Sequence, residues 1–215
     1  MVLKLYGLPM STCTTRVMIC LHEKDLEIES NNSISSGEKY KDSGSSNLIR
    51  HENLNESAAV KVWSEVESHE YDPVISQIVY QHLVAPMVGK STDQTVIDAN
   101  LEKLGKVLDV YDSRLSNTKY LAGDFFSLAD LHHLPYTFYF MKTPWASLVY
   151  DRPHVKAWWD DISSRPAFQR VAVGMVLAVV AVAVAVAMAM AVAVVMVMMI
   201  RRNDVLVCLY KLVLL

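Results

Sequence analysis

Apolar and polar positions change rhythm several times along this chain. Val2-Leu3-Lys4-Leu5-Tyr6 is a short apolar run of strand-forming residues. Gly7-Leu8-Pro9 breaks it, and Ser11-Thr12-Cys13-Thr14-Thr15 stands where a helix would begin. Between Arg16 and Lys24, the residues Val17, Cys20, Leu21 and Lys24 recur at helical spacing. Asp25 to Glu29 alternates Leu26 and Ile28 with acids and predicts a second strand. The pattern then stops. Ser30 to Ser46 holds seven serines, two asparagines and two glycines, with Ile34 as its one aliphatic residue, and predicts a loop or disordered segment.

Helical periodicity resumes after Asn47. Asn55 or Ser57 is expected to start a long helix carrying Ala59, Val62, Trp63, Val66, Val74, Ile75, Ile78 and Val79, with Pro73 placed to kink it and Pro86 and Gly89 to end it. Ser91-Thr92-Asp93-Gln94 opens a second, bearing Val96, Leu101, Leu104, Val107, Leu108, Val110, Tyr111 and Leu115; Asn117-Thr118 stops it. Phe126-Ser127-Leu128-Ala129-Asp130 is a capping box with an apolar residue on either side of the cap, in which Ser127 and Asp130 satisfy each other's backbone donors. Val171 to Ile200 is different again: thirty residues without a charge, rich in Val-Ala alternation. About 20 apolar residues span a bilayer, so length alone makes this a candidate membrane helix. Outside a membrane it would aggregate, since nothing else in the chain could bury it.

Composition narrows the classes. At 215 residues the chain fits one or two domains with a core. A net charge of −3 leaves no footprint for nucleic acid. Arg201, Arg202, Asp204 and Lys211 are the only charges after Arg170, so the tail carries +2 and the rest −5. Cys13, Cys20 and Cys208 form no disulfide framework, and Cys13 and Cys20 are too far apart on one helix to bridge. No Cys/His group has metal spacing; the adjacent His132 and His133 leave a helix in different directions. The first apolar run is too short for a signal peptide.

The front of the chain carries the chemistry. A helix opening at Ser11 aims backbone N–H groups and its positive dipole end at whatever sits beside that residue. Two roles for Ser11 follow: an ordinary cap, or a donor to a bound anion. Tyr6 and Cys13 stand nearby as rivals, Tyr6 expected as a packed strand aromatic and Cys13 as a buried, inert thiol.

The run Leu5-Tyr6-Gly7-Leu8-Pro9-Met10-Ser11-Thr12-Cys13-Thr14-Thr15-Arg16-Val17, continuing into Cys20-Leu21-His22-Glu23-Lys24, resembles the opening of plant phi-class glutathione transferases. The stretch Tyr120 to Phe168 resembles their second domain, through Leu128-Ala129-Asp130-Leu131, Pro153-His154-Val155-Lys156-Ala157-Trp158-Trp159 and Ser164-Arg165-Pro166-Ala167-Phe168. The resemblance covers residues 1–29 and about 38–175. It implies an α+β to mostly α fold, with a truncated thioredoxin-like part at 1–46, an all-helical domain at 47–170 and a low-complexity apolar tail at 171–215. It also implies that Ser11 activates the glutathione sulfur and that Thr12 lies against the same ligand. The co-substrate would be glutathione, with no metal, and the acceptor a hydrophobic electrophile, in a cytoplasmic homodimeric detoxification enzyme. Tyr111, Phe138, Tyr139 and Phe140 are available aromatics, each read as core before pocket.

The sequence departs from the family in the middle. The family needs a helix, a hairpin and a further helix where Ser30 to Glu56 offers 27 residues, and a βαβ unit alone takes about 30. It holds glutathione with a cis-proline loop and a Glu-Ser pair at a helix start. No proline lies between Pro9 and Pro73, and Glu29-Ser30, Glu56-Ser57 and Glu67-Ser68 lack that setting. Ser36-Gly37-Glu38-Lys39 looks like the loop after the second strand, making Lys39 a candidate for the peptide's carboxylate. Glu38 to Gly44 looks equally like the end of the helix leading into the second domain, as if two distant stretches were joined. The family's chain ends near Gly174-Met175, so the tail is an extension or an anchor. As an anchor, Arg201-Arg202 would put the preceding domain outside the cytoplasm, against a cytosolic enzyme. Two alternatives stand beside the enzyme: a non-catalytic carrier of apolar ligands such as flavonoids, and a non-functional or membrane-anchored splice product reaching the membrane only through 171–200.

Overall fold

The computed structural model describes residues 3–26, 28–30 and 47–213. Two compact units divide at Ala178/Val179. The first begins with strand β1 (Leu3–Leu5), helix α1 (Thr12–Glu23) and strand β2 (Ile28–Ser30). The strands pair in parallel, Leu3 opposite Ile28 and Leu5 opposite Ser30. The second strand starts later than its alternation predicts. Asp25 adopts φ 49° and Leu26 N–H donates to Leu21 O, so both finish the turn after α1.

Helices dominate the remaining described residues of this unit. α2 (Leu54–Val66) opens one residue before the expected start, because Asn53 caps it by accepting from Asn55 N (3.1 Å) and Glu56 N (3.2 Å). α2, α3 (Asp72–Val79) and α4 (Ala85–Met87) follow each other through π-helical turns at Glu67–Tyr71 and Tyr80–Val84. Each wide turn closes through an N–H five residues on, Asp72 to Glu67 O and Ala85 to Tyr80 O. A proline stands just after each closure, Pro73 and Pro86. Proline brings no N–H and crowds the carbonyl four residues back, which a widened turn accommodates. Val60, Glu67, Tyr71, Ile75 and Ile78 share the buried face of this run, while Val62 is exposed.

α5 (Gln94–Leu115), capped by Asp93, packs Ile97, Leu104, Leu108 and Tyr111 inward, whereas Val110 faces solvent. α6 (Leu128–Phe140) starts at the expected capping box. α7 (Ser147–Tyr150) and α8 (Pro153–Ser163) lead into α9 (Pro166–Val213), whose Phe168, Val171 and Met175 are core residues.

A polar chain runs through this core. His133 is fully buried; its Nδ1 lies 2.7 Å from Ala129 O and its Nε2 2.9 Å from Tyr111 Oη. A carbonyl only accepts, so Nδ1 carries the proton and Tyr111 donates to Nε2. Thr137 donates to His133 O and accepts from Tyr71 Oη at 2.8 Å. Burial holds the imidazole down to about 4. The unfolded chain, with an ordinary histidine near 6.5, therefore takes up the proton first. Stability is whole above pH 6.5 and declines as pH falls toward 4, by about 3 kcal/mol from this group. Urea unfolding at pH 7 and pH 4 measures it; a His133→Phe variant loses this part of the pH dependence.

The second unit, Val179–Leu215, continues α9 as helix through Val213. Val180, Val184, Met188, Val192 and Met196 are all exposed along it. The stretch Pro166–Met198, whose most apolar 18 residues have mean hydropathy 2.9, is long and apolar enough to cross a membrane, by length and composition alone.

Candidate functional site

The site grows from the turn between β1 and α1. A Cβ on Gly7 would meet Thr14 Oγ1 at 2.2 Å, so only glycine lets the chain pass this close to the helix. Ser11 N–H donates to Leu8 O at 2.9 Å and closes the turn. Ser11 O accepts from Thr15 N at 2.9 Å and from the buried Thr15 hydroxyl at 2.8 Å. Ser11 is thus the N-cap of α1 in extended conformation, its Oγ accepting from Thr14 N at 3.5 Å. That bond is long, and among the described residues none accepts the hydroxyl hydrogen. Ser11 and Thr12 are half-buried at the positive end of a 12-residue helix.

The two roles foreseen for Ser11 are therefore compatible: the oxygen caps, and its hydrogen is available to an anion. The rivals fare differently. Tyr6, expected to pack in the sheet, is 72% exposed, because β1 ends at Leu5 and its ring leaves the sheet. Cys13, expected to be buried, is exposed on the first turn of α1. Lys39 lies outside the described residues. Tyr111, Tyr139 and Phe140 are core residues, with Phe138 half-buried.

Three polar bridges that sequence spacing did not foretell tie α1 and the turn before it to the helical part. Tyr139 Oη donates to Met10 O at 2.8 Å. Arg16 donates from Nη2 to Glu67 and Asp72, both at 2.6 Å, and from Nε to His132 O at 3.0 Å. Burial pushes the Glu67 carboxyl up, but His132 and Arg16 beside it hold it below the ordinary glutamate range. At the far end, Arg165 grips Glu23 with two bonds of 2.7 and 2.6 Å. An arginine one turn into the first helix was the available signal; its partner Glu67 is buried. Among the described residues no group of three His, Cys, Asp or Glu side chains could hold a metal.

A helical bundle with a serine-capped βα turn docked on it is the architecture of a glutathione transferase. The family model for the glutathione S-transferase C-terminal domain matches residues 71–166. Glutathione S-transferase F13 of Arabidopsis thaliana is 44% identical, over 83% of this chain and 98% of its own length. Among solved structures, glutathione transferase F7 from Populus trichocarpa is 54% identical with a TM-score of 0.72, over 80% of this chain and 98% of that one. Glutathione S-transferase I from maize, solved with an atrazine glutathione conjugate, is 38% identical with a TM-score of 0.72, over 80% and 97%. The chain belongs to the glutathione S-transferase family, among its plant phi-class members. The Arabidopsis alignment runs over 216 positions yet takes up only 83% of this chain, so that relative carries residues without a counterpart here. This agrees with the shortness of Ser30 to Glu56.

Proposed function

We propose that this chain conjugates glutathione to hydrophobic electrophiles, with Ser11 as the residue that activates sulfur and Thr12 beside it. The observation that carries the proposal is the half-buried Ser11 hydroxyl at the start of α1. An ordinary thiol titrates near 8.5, and lowering it by about two units needs roughly 2.7 kcal/mol of preference for thiolate. A hydrogen bond to a charged acceptor supplies about 1.5–3 kcal/mol, and the helix end roughly 0.3–1. Together they suffice. The thiolate then attacks the electrophilic carbon; a C–S bond forms, the leaving group departs with the electron pair of the broken bond, and the thiol proton passes to water. The maize relative's atrazine conjugate is a precedent for such a product.

In this proposal residues 1–46 hold the peptide, with Lys39 at its carboxylate, and 47–170 hold the acceptor. The working form is a cytoplasmic homodimer serving detoxification. With so little of the thioredoxin-like part present, glutathione is held weakly. The test is steady-state conjugation of an activated aryl chloride: turnover appears, with a glutathione KM well above that of the Arabidopsis relative. A chain that binds the aryl compound but never turns it over would instead be the apolar-ligand carrier.

The uncharged stretch of α9, with Val180, Val184, Met188, Val192 and Met196 exposed, favours a second localisation, anchorage in a membrane through 171–200. Alkaline carbonate extraction of the full chain separates the two: a cytoplasmic protein stays in the supernatant, an anchored one pellets with lipid.

A further inference from the structure

We infer that Tyr139 is a positioning residue for the Ser11 hydroxyl, and that the helical part of the chain, rather than the sheet, sets where that hydroxyl stands. The inference deepens the proposed role of Ser11 and rests on it.

The peptide group joining Met10 to Ser11 is held at both polar atoms. Its carbonyl accepts from Tyr139 Oη at 2.8 Å, and its N–H donates to Leu8 O at 2.9 Å. The next carbonyl, that of Ser11, is held twice by Thr15. With the flanking groups fixed, φ −72° and ψ 125° at Ser11 are fixed too. Only its single side-chain torsion remains to place Oγ. Of these anchors, the Tyr139 bond alone reaches out of the β1–α1 segment to another part of the fold.

Its donor is built firmly. Tyr139 is a buried residue of α6, and its ring lies 5.8 Å from that of Phe138, which in turn packs edge-on against Phe168 of α9. The Asp130 capping box fixes the start of the same helix. Burial lifts the phenol to about 12, so it stays a donor throughout the range in which a thiol titrates. Arg16 likewise finds its partners Glu67 and Asp72 in the helical part, and Glu23 finds Arg165 between α8 and α9. Among the described residues the sheet, by contrast, contributes three paired positions. A sulfur-activating serine anchored this way keeps its place even where the sheet is small.

Tyr139→Phe tests this, since it removes one hydroxyl and keeps the ring. Freed of its clamp, the Met10 carbonyl turns, and a donor displaced by even a fraction of an ångström is a poorer one. The expected result is a roughly tenfold fall in kcat at saturating glutathione, with KM for the aryl chloride unchanged. The thiol pKa of bound glutathione, read from thiolate ultraviolet absorbance, rises toward its free value. In a Ser11→Ala background the same change has no further effect on either quantity, because the tyrosine acts through the serine. If Tyr139→Phe lowers only the melting temperature and leaves the pH profile in place, the residue is merely structural and the inference falls while the role of Ser11 stands. If Ser11→Ala itself leaves the bound thiol pKa unmoved, the role of Ser11 falls first and takes this inference with it.

Discussion

Ser11→Ala is expected to slow conjugation by one to two orders of magnitude at neutral pH while the chain stays folded. The rate effect follows from losing a hydrogen bond to a charged sulfur, about 1.5–3 kcal/mol. The fold survives because the cap bond being removed is long, 3.5 Å to Thr14 N, and stands at the low end of what an N-cap contributes. The backbone bonds of Ser11 to Leu8 and Thr15 do not need its side chain. The deficit has a pH signature. Below a thiol's ordinary value near 8.5 the variant waits for glutathione to ionise unaided; above it, most of the thiol is already charged and the gap closes. A pH–rate series on the two proteins checks this. A deficit that stays constant from pH 6 to pH 9 contradicts it.

The largest loss of stability is expected at Asp130, which shows why a carboxylate in a familiar motif is a folding residue here. It is fully buried and accepts from Ser127 N (3.0 Å), Ser127 Oγ (2.9 Å), Leu121 N (3.0 Å) and Trp158 Nε1 (2.9 Å). Burial pushes its carboxyl up, and the four donors pull it back. Alanine at 130 strands all four in the core, each costing about 1–3 kcal/mol when unsatisfied. Allowing for local relaxation, a loss of about 4 kcal/mol is expected, a large share of the 5–15 kcal/mol that stabilises an ordinary domain. For a chain of this size that lowers the melting temperature by about 10 °C, measurable by circular dichroism. A shift of only a degree or two would mean that water replaces the carboxylate.

Local signals in the sequence were dependable. The β1–turn–α1 opening, the proline- and glycine-bounded helices and the Ser127–Asp130 box all stand where spacing put them, since each is set by residues within one or two turns. What spacing missed depends on distant partners. Val62 is exposed and Glu67 buried, against what their types favour, because the groups that meet them lie far along the chain, as Arg16 does from Glu67. The bridges from Arg16, Glu23 and Met10 join residues more than 50 positions apart and left no pattern to count. The same holds for Cys13 and Tyr6: their types favoured burial, and the neighbours that decide exposure are remote in sequence.

In the proposed mechanism everything turns on one hydroxyl, aimed by the first helix at a tripeptide's sulfur. Following thiolate absorbance while glutathione is titrated in the presence of excess protein reads that claim without an acceptor substrate. A bound thiol ionising about two units below free glutathione, with the shift gone in Ser11→Ala, is the result expected. Glutathione that binds yet remains no more acidic than in buffer would contradict it.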